Sequence, residues 1–191
     1  MEILEYINYS DKAFIKTIYL SAIDTIALIL IPYLQYKYKL ISKFTGDDMG
    51  RAADLAAYIL IHLGTFRNYS FIESTYNSKP LDLGLFNYIL MLIGILSLSL
   101  GGLLVILAFR KLGLRGMYFG DHFGFIMRKR IDSFPYNYFE NPQYTGCTMM
   151  YLGYSLFCRS ITGLILTISI VICYHILFRF FEKRQLKRLY N

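Results

Sequence analysis

The sequence predicts an all-α integral membrane protein with about four to five membrane helices, the last two forming a helical hairpin. Three observations lead there. Of 191 residues, 55% are hydrophobic and only 17% charged, a richer apolar content than a soluble core of this length uses. The run LGLFNYILMLIGILSLSLGGLLVILAF, Leu83 to Phe109, carries no charge and exceeds the roughly 20 helical residues that cross a hydrocarbon layer roughly 30 Å thick. The Lys and Arg residues gather beside apolar runs, where topology and anionic headgroups place them.

The apolar segments follow in order. Thr17 to Leu34 contains Asp24 and Pro32, and is short enough that crossing and dipping into the bilayer both stay open. Ala52 to Phe66 carries Asp54 and His62. Leu83 to Phe109 spans with tilt. From Tyr144 to Phe181 a single helix would run roughly 57 Å at 1.5 Å per residue and bury Arg159. A break near Arg159 to Gly163 therefore divides Tyr144 to Cys158 from Ile161 to Phe181.

The first of these two pieces either lies along the interface or crosses and turns back. If it crosses, the loop around residues 37–51, the 110–143 loop and the C-terminus share one side, with most of the 20 Lys and Arg residues. If it does not, the charges divide almost evenly. The positive-inside rule favours crossing, with a cytosolic C-terminus and the N-terminus on the opposite face. Absence of repeats or linkers makes 1–191 a single domain, and the acidic, polar start MEILEYINYSDK gives no cleavable signal.

A net charge of +7 is explained by the membrane flanks, so nucleic acid is not an expected partner. Cys147, Cys158 and Cys173 show neither CxxC nor Cys/His spacing, so no metal is expected. Oligomeric state is not readable.

SFPYNYFENPQYTGC, Ser133 to Cys147, stands between a basic run and the apolar tail. Two prolines stiffen it. Asn141 is placed to cap the next helix, with Pro142 at its first position. Helix entry among interfacial aromatics is a sufficient reading of these residues alone.

GLRGMYFGDHFGF, followed by RIDSFPYNYFENPQYTGCTMMYLGYSL, resembles the phospholipid N-methyltransferases. There a G-x-x-L-G-D-Y-F-G stretch precedes R-V-T-x-F-P-F-N-x-x-x-N-P-M-Y-x-G-S-T-x-x-Y-L-G. The likeness extends weakly over nearly the whole chain, and Arg67 falls near a family arginine. It implies S-adenosylmethionine-dependent methylation of phosphatidylethanolamine and/or its mono- and dimethyl derivatives to phosphatidylcholine, in the endoplasmic reticulum with the active site facing the cytosol. The expected partners are the membrane and a phospholipid substrate within it.

The resemblance also implies roles. The family's G-x-G aligns with Ser99-Leu100-Gly101 and its Glu-Glu pair with Phe181-Glu182, one glycine and one carboxylate being replaced. With Asn141, Tyr144 and Gly146 these are the expected donor-binding residues. Asp121 and Glu182, with His122 as a further base, are the candidate catalytic groups. Arg130 and Asn137 would hold the substrate, Arg130 through the lipid phosphate. Each has a structural counter-reading: helix packing for the glycines, a surface pair with Arg179 for Glu182, turn bracing for Asp121, an interfacial ring for His122. Two rival functions are an isoprenylcysteine carboxyl methyltransferase, suggested by N-P-x-Y-x-G, and an inactive lipid-binding relative, suggested by the altered motifs.

Overall fold

The computed structural model describes residues 3–7, 9–125 and 131–183. All regular structure among them is helical: α1 (Lys12–Tyr38), α2 (Leu40–Phe44), α3 (Met49–Tyr76), α4 (Phe86–Met117), α5 (Pro142–Phe157) and α6 (Ile161–Ile176). A 3-10 turn, Gly120–Phe123, follows α4, and a π-turn, Leu177–Glu182, extends α6. Three of these stretches, Lys12–Tyr38, Phe86–Phe123 and Ile161–Glu182, are long and apolar enough to cross a membrane. The chain is an all-α integral membrane protein.

Helix ends follow local chemistry. Asp11 accepts from the Ala13 amide at 3.1 Å to start α1. Asp48 accepts from the Gly50 and Arg51 amides at 2.8 and 3.0 Å to start α3, and Ser160 accepts from Gly163 at 2.8 Å to start α6. Each satisfies an amide that the first helical turn leaves unpaired. The break expected near Arg159 is present: Arg159 takes a left-handed conformation, φ 54°, and reverses the chain between α5 and α6.

Three helices differ in extent from the sequence reading. α4 begins at Phe86 and continues past Phe109 to Met117, with Gly113 in a left-handed conformation, φ 66°, inside it. α1 outruns Thr17–Leu34 at both ends, with Pro32 buried inside it. α3 continues well past Phe66 to Tyr76, because Arg67, where the apolar run stops, forms a buried ion pair with Asp24 of α1. The pairing allows a cation to stay inside the bundle.

Packing uses small side chains. Ala52, Ala53, Ala56 and Ala57 are buried on α3, which brings α1 close, while Thr17 and Ser21 on α1 return their hydroxyls to the carbonyls of Ala13 and Thr17 at 2.7 Å. α4 and α5 run antiparallel and touch backbone to backbone at two glycine pairs. A Cβ on Gly101 would meet the Gly146 carbonyl oxygen at 2.6 Å, and one on Gly94 would meet that of Gly153 at 2.7 Å. Such contacts suit membrane helices, where association depends on close packing.

The order round the bundle is α4, α5, α6, α1, α3. α3 and α4 meet only lightly, and a cavity of about 560 Å³ fills the gap between them. Phe71, Tyr151, Leu166, Ile170 and Tyr174 form the main buried core on its inner side.

Candidate active site

The 131–141 loop, the start of α5 and the end of α6 converge at one end of the bundle. Asn141 caps α5, its Oδ1 accepting from the Tyr144 amide at 3.2 Å. Its Nδ2 donates to Glu182 Oε2 at 3.4 Å. The Tyr144 hydroxyl donates to the same carboxylate, and its ring stacks on Tyr174 with centroids 4.7 Å apart and planes inclined by 14°. The π-turn matters here, since an i+5 turn takes up an extra residue and rotates whatever follows. Glu182, at its end, thereby meets Asn141 and Tyr144. Next to it, Lys183 Nζ approaches Glu140 Oε1 at 3.2 Å and ties the loop to the helix end.

Tyr136, in the same loop, was not anticipated from sequence. Its Oη is buried with no hydrogen-bond partner among the described residues. Burial and the nearby Glu182 carboxylate push its phenol up to about 12, so it remains a protonated donor at neutral pH.

Asp121 lies close enough to repel Glu182 electrostatically. Its Oδ1 is 2.9 Å from Nδ1 of His122. The His122 ring is buried, edge-on to Tyr36 and Phe119, in the 3-10 turn beneath α1 and α3. The structure therefore brings Asn141, Tyr144, Glu182 and Asp121 into one neighbourhood and encloses His122 in an aromatic niche beside it.

The other expected residues are elsewhere. Ser99 is exposed, with its hydroxyl bonded to the Ile95 carbonyl of its own helix at 2.9 Å. Leu100 is 56% exposed on the outer side of α4. Gly101 and Gly146 press against each other. Phe181 is 37% exposed and Asn137 is exposed, while Arg130 lies outside the described residues.

The cavity adjoins this cluster through Tyr144, which lines both. Asp24, Arg67, Tyr118, Cys147 and Tyr174 also line it. The sequence signal for Asp24 was a charge within an apolar segment, which by default marks function in a membrane helix, and that for Arg67 was its place near a family arginine. Tyr118 and Tyr174 carried no comparable signal in a chain with 18 tyrosines.

The sequence profile of the phospholipid methyltransferase family matches residues 89–191. Among curated relatives, phosphatidylethanolamine N-methyltransferase A of Dictyostelium discoideum is 28% identical over 90% of this chain and 80% of its own length. Phosphatidyl-N-methylethanolamine N-methyltransferase of Schizosaccharomyces pombe is 32% identical over 78% and 75%. Human phosphatidylethanolamine N-methyltransferase is 28% identical over 90% and 85%. The chain belongs to the phospholipid methyltransferase family.

The family match covers more than half the chain and includes α4 from residue 89 onward, α5, α6 and the whole cluster. No solved structure matches this phospholipid methyltransferase. A methyltransferase requires a methyl donor, and the cluster offers complementary features. Glu182 supplies a half-buried carboxyl group, and Tyr136 a buried hydroxyl without a partner among the described residues.

Proposed function

We propose that this chain transfers methyl groups from S-adenosylmethionine to the nitrogen of phosphatidylethanolamine and/or its mono- and dimethyl derivatives, giving phosphatidylcholine. The observation that carries this reading is the Glu182 carboxylate, held by Tyr144 and Asn141 beside the cavity that Tyr144 also lines, in a chain of this family. The site faces the cytosol, on the side where the basic loops collect. The endoplasmic reticulum is the expected membrane.

S-adenosylmethionine, when bound, supplies a sulfonium methyl. Glu182 would hold it by accepting from its hydroxyl or amino groups, and the Tyr136 hydroxyl would donate to it. Asn141 and Tyr144 fix the carboxylate, so that orienting it costs little at the moment of reaction. The acceptor amine must be neutral to offer its lone pair. Asp121 is the candidate to take its proton, a task of general bases that contributes typically 10²–10⁴-fold. His122, bonded to Asp121, orients that carboxylate. Positioning by the packed glycines of α4 and α5 sets the distance between α5 and the α4 wall of the cavity.

The test uses the purified chain with S-adenosylhomocysteine and a labelled methyl donor. The wild type should be thermally stabilised by S-adenosylhomocysteine and should label mono-, di- and trimethylated lipids separable by thin-layer chromatography. Glu182→Gln should weaken binding by about tenfold or more, the loss of one charged hydrogen-bond acceptor. Unchanged affinity in a folded Glu182→Gln protein would remove Glu182 from the site. Label in base-labile methyl esters would instead indicate an isoprenylcysteine acceptor. Neither stabilisation nor label would indicate an inactive relative.

A further inference from the structure

The donor cluster does not account for the cavity between α3 and α4. Its outer wall includes Ile106, Phe109 and Arg110, all exposed on α4, so it opens sideways toward the surface that the bilayer covers. Its inner wall carries Asp24, which is only 3% exposed and paired with Arg67. Arg67 uses Nη1 on Asp24 and places Nη2 3.3 Å from Asn68 Oδ1. Its Nε, also buried, has no hydrogen-bond partner among the described residues. An ion pair serving only the fold satisfies its donors when buried this deeply. Here one guanidinium donor is left over in a residue that lines a cavity.

The rest of the polar wall is Tyr118, Tyr144 and Tyr174 with Thr65, Asn68 and Gln143, and π-faces in such a wall favour a cation, including a methylated ammonium. The arrangement from outside inward is therefore apolar side chains, a cation at the rim, then rings and the Asp24–Arg67 pair. A zwitterionic phospholipid has the matching order of acyl chains, phosphate and ammonium.

We infer that this cavity is the headgroup site for an aminophospholipid that enters between α3 and α4, with its phosphate on Arg110 and its ammonium against Tyr118 and Tyr144, beside the Asp24–Arg67 pair. The inference rests on the proposed function for the identity of the lipid. Arg67 holds Asp24 and offers its unpartnered Nε–H to a headgroup oxygen. A volume of about 560 Å³ lies within the usual range of pockets that enclose small ligands. The acyl chains remain in the bilayer along Ile106 and Phe109.

Gly64 allows the site to be blocked without disturbing the fold. It lines the cavity, and a Cβ there would meet only Arg67 Nη2, at 3.9 Å. Gly64→Leu thus adds bulk to the cavity without a backbone clash, and Arg110→Gln removes the rim charge at an exposed position. The experiment measures thermal stabilisation of the detergent-solubilised full chain by short-chain phosphatidylethanolamine, short-chain phosphatidylglycerol and S-adenosylhomocysteine. Phosphatidylethanolamine should stabilise the wild type more than phosphatidylglycerol, which has no ammonium. Both variants should bind phosphatidylethanolamine about tenfold more weakly, one charged contact or its steric equivalent, with the S-adenosylhomocysteine response unchanged. Equal stabilisation by the two lipids, or wild-type lipid affinity in Gly64→Leu, overturns the assignment. So does loss of the S-adenosylhomocysteine response in Gly64→Leu, which would make the cavity a donor site. If S-adenosylhomocysteine fails to stabilise the wild type while lipid selectivity and its loss in Gly64→Leu are observed, the cavity assignment stands and the methyl-donor reading falls.

Discussion

Tyr136 places a buried phenolic hydroxyl next to a carboxylate and gives it no partner among the described residues. An unsatisfied buried polar group costs about 1–3 kcal/mol, so a hydroxyl kept for folding alone would be a poor choice at this position. Phenylalanine preserves the ring and removes the uncompensated group. Tyr136→Phe should therefore leave the thermal midpoint of the free protein unchanged or slightly higher. If the hydroxyl serves the donor, the same substitution should weaken S-adenosylhomocysteine binding about three- to tenfold, the value of one hydrogen bond of about 0.5–1.5 kcal/mol. Melting curves with and without the ligand measure both quantities on one sample. A lower midpoint with unchanged affinity would make Tyr136 a structural residue. Glu182 was legible from sequence through the family motif, whereas Tyr136 was one more aromatic among 18 tyrosines, and only the folded loop shows that its buried oxygen lies in the field of the Glu182 carboxyl group.

At the scale of the helices, the glycines of α4 show what pattern reading resolves and what it leaves open. Small residues at helix-packing spacing suggest either a close helix partner or a close ligand. The structure supplies a helix partner for Gly101, since its Cβ position falls 2.6 Å from the Gly146 carbonyl oxygen, whereas Gly102 has nothing within 4 Å. Gly101→Ala must therefore push α4 and α5 apart, an overpacking cost of typically 1–3 kcal/mol. Gly102→Ala should gain roughly 0.5–1 kcal/mol of helix propensity. Thermal melts of the two variants should move in opposite directions, and equal shifts would contradict the packed interface. The break at Arg159 was legible because one helix across the tail would have been too long for a bilayer. The true length of α3 was not, because continuation past Phe66 depends on Asp24 of α1, a partner 43 positions away along the chain.

Over the whole molecule, the helices form a ring around Arg67, with the cavity where α3 and α4 fail to close. Asp24 joins α1 to α3, and the Arg67 guanidinium sits 5.7 Å from the Tyr151 ring centroid and 5.5 Å from that of Tyr174, which adds α5 and α6 to the same centre. One charged group thus touches four helices. Removing either partner alone leaves an uncompensated charge in a poorly solvated interior, and Asp24→Ala or Arg67→Ala should each destabilise by about 3–5 kcal/mol. Replacing both by apolar residues of similar size removes the desolvation cost along with the attraction, and such exchanges are often neutral or stabilising. Asp24→Leu combined with Arg67→Met should therefore restore most of the stability lost in the single variants, with a strongly favourable coupling in a double-mutant cycle. That well-folded double variant has lost the ion pair at the inner end of the cavity. Its methyl transfer to phosphatidylethanolamine should fall by at least about tenfold, while S-adenosylhomocysteine still stabilises it. Activity returning along with stability would show that the pair serves only to hold the bundle together.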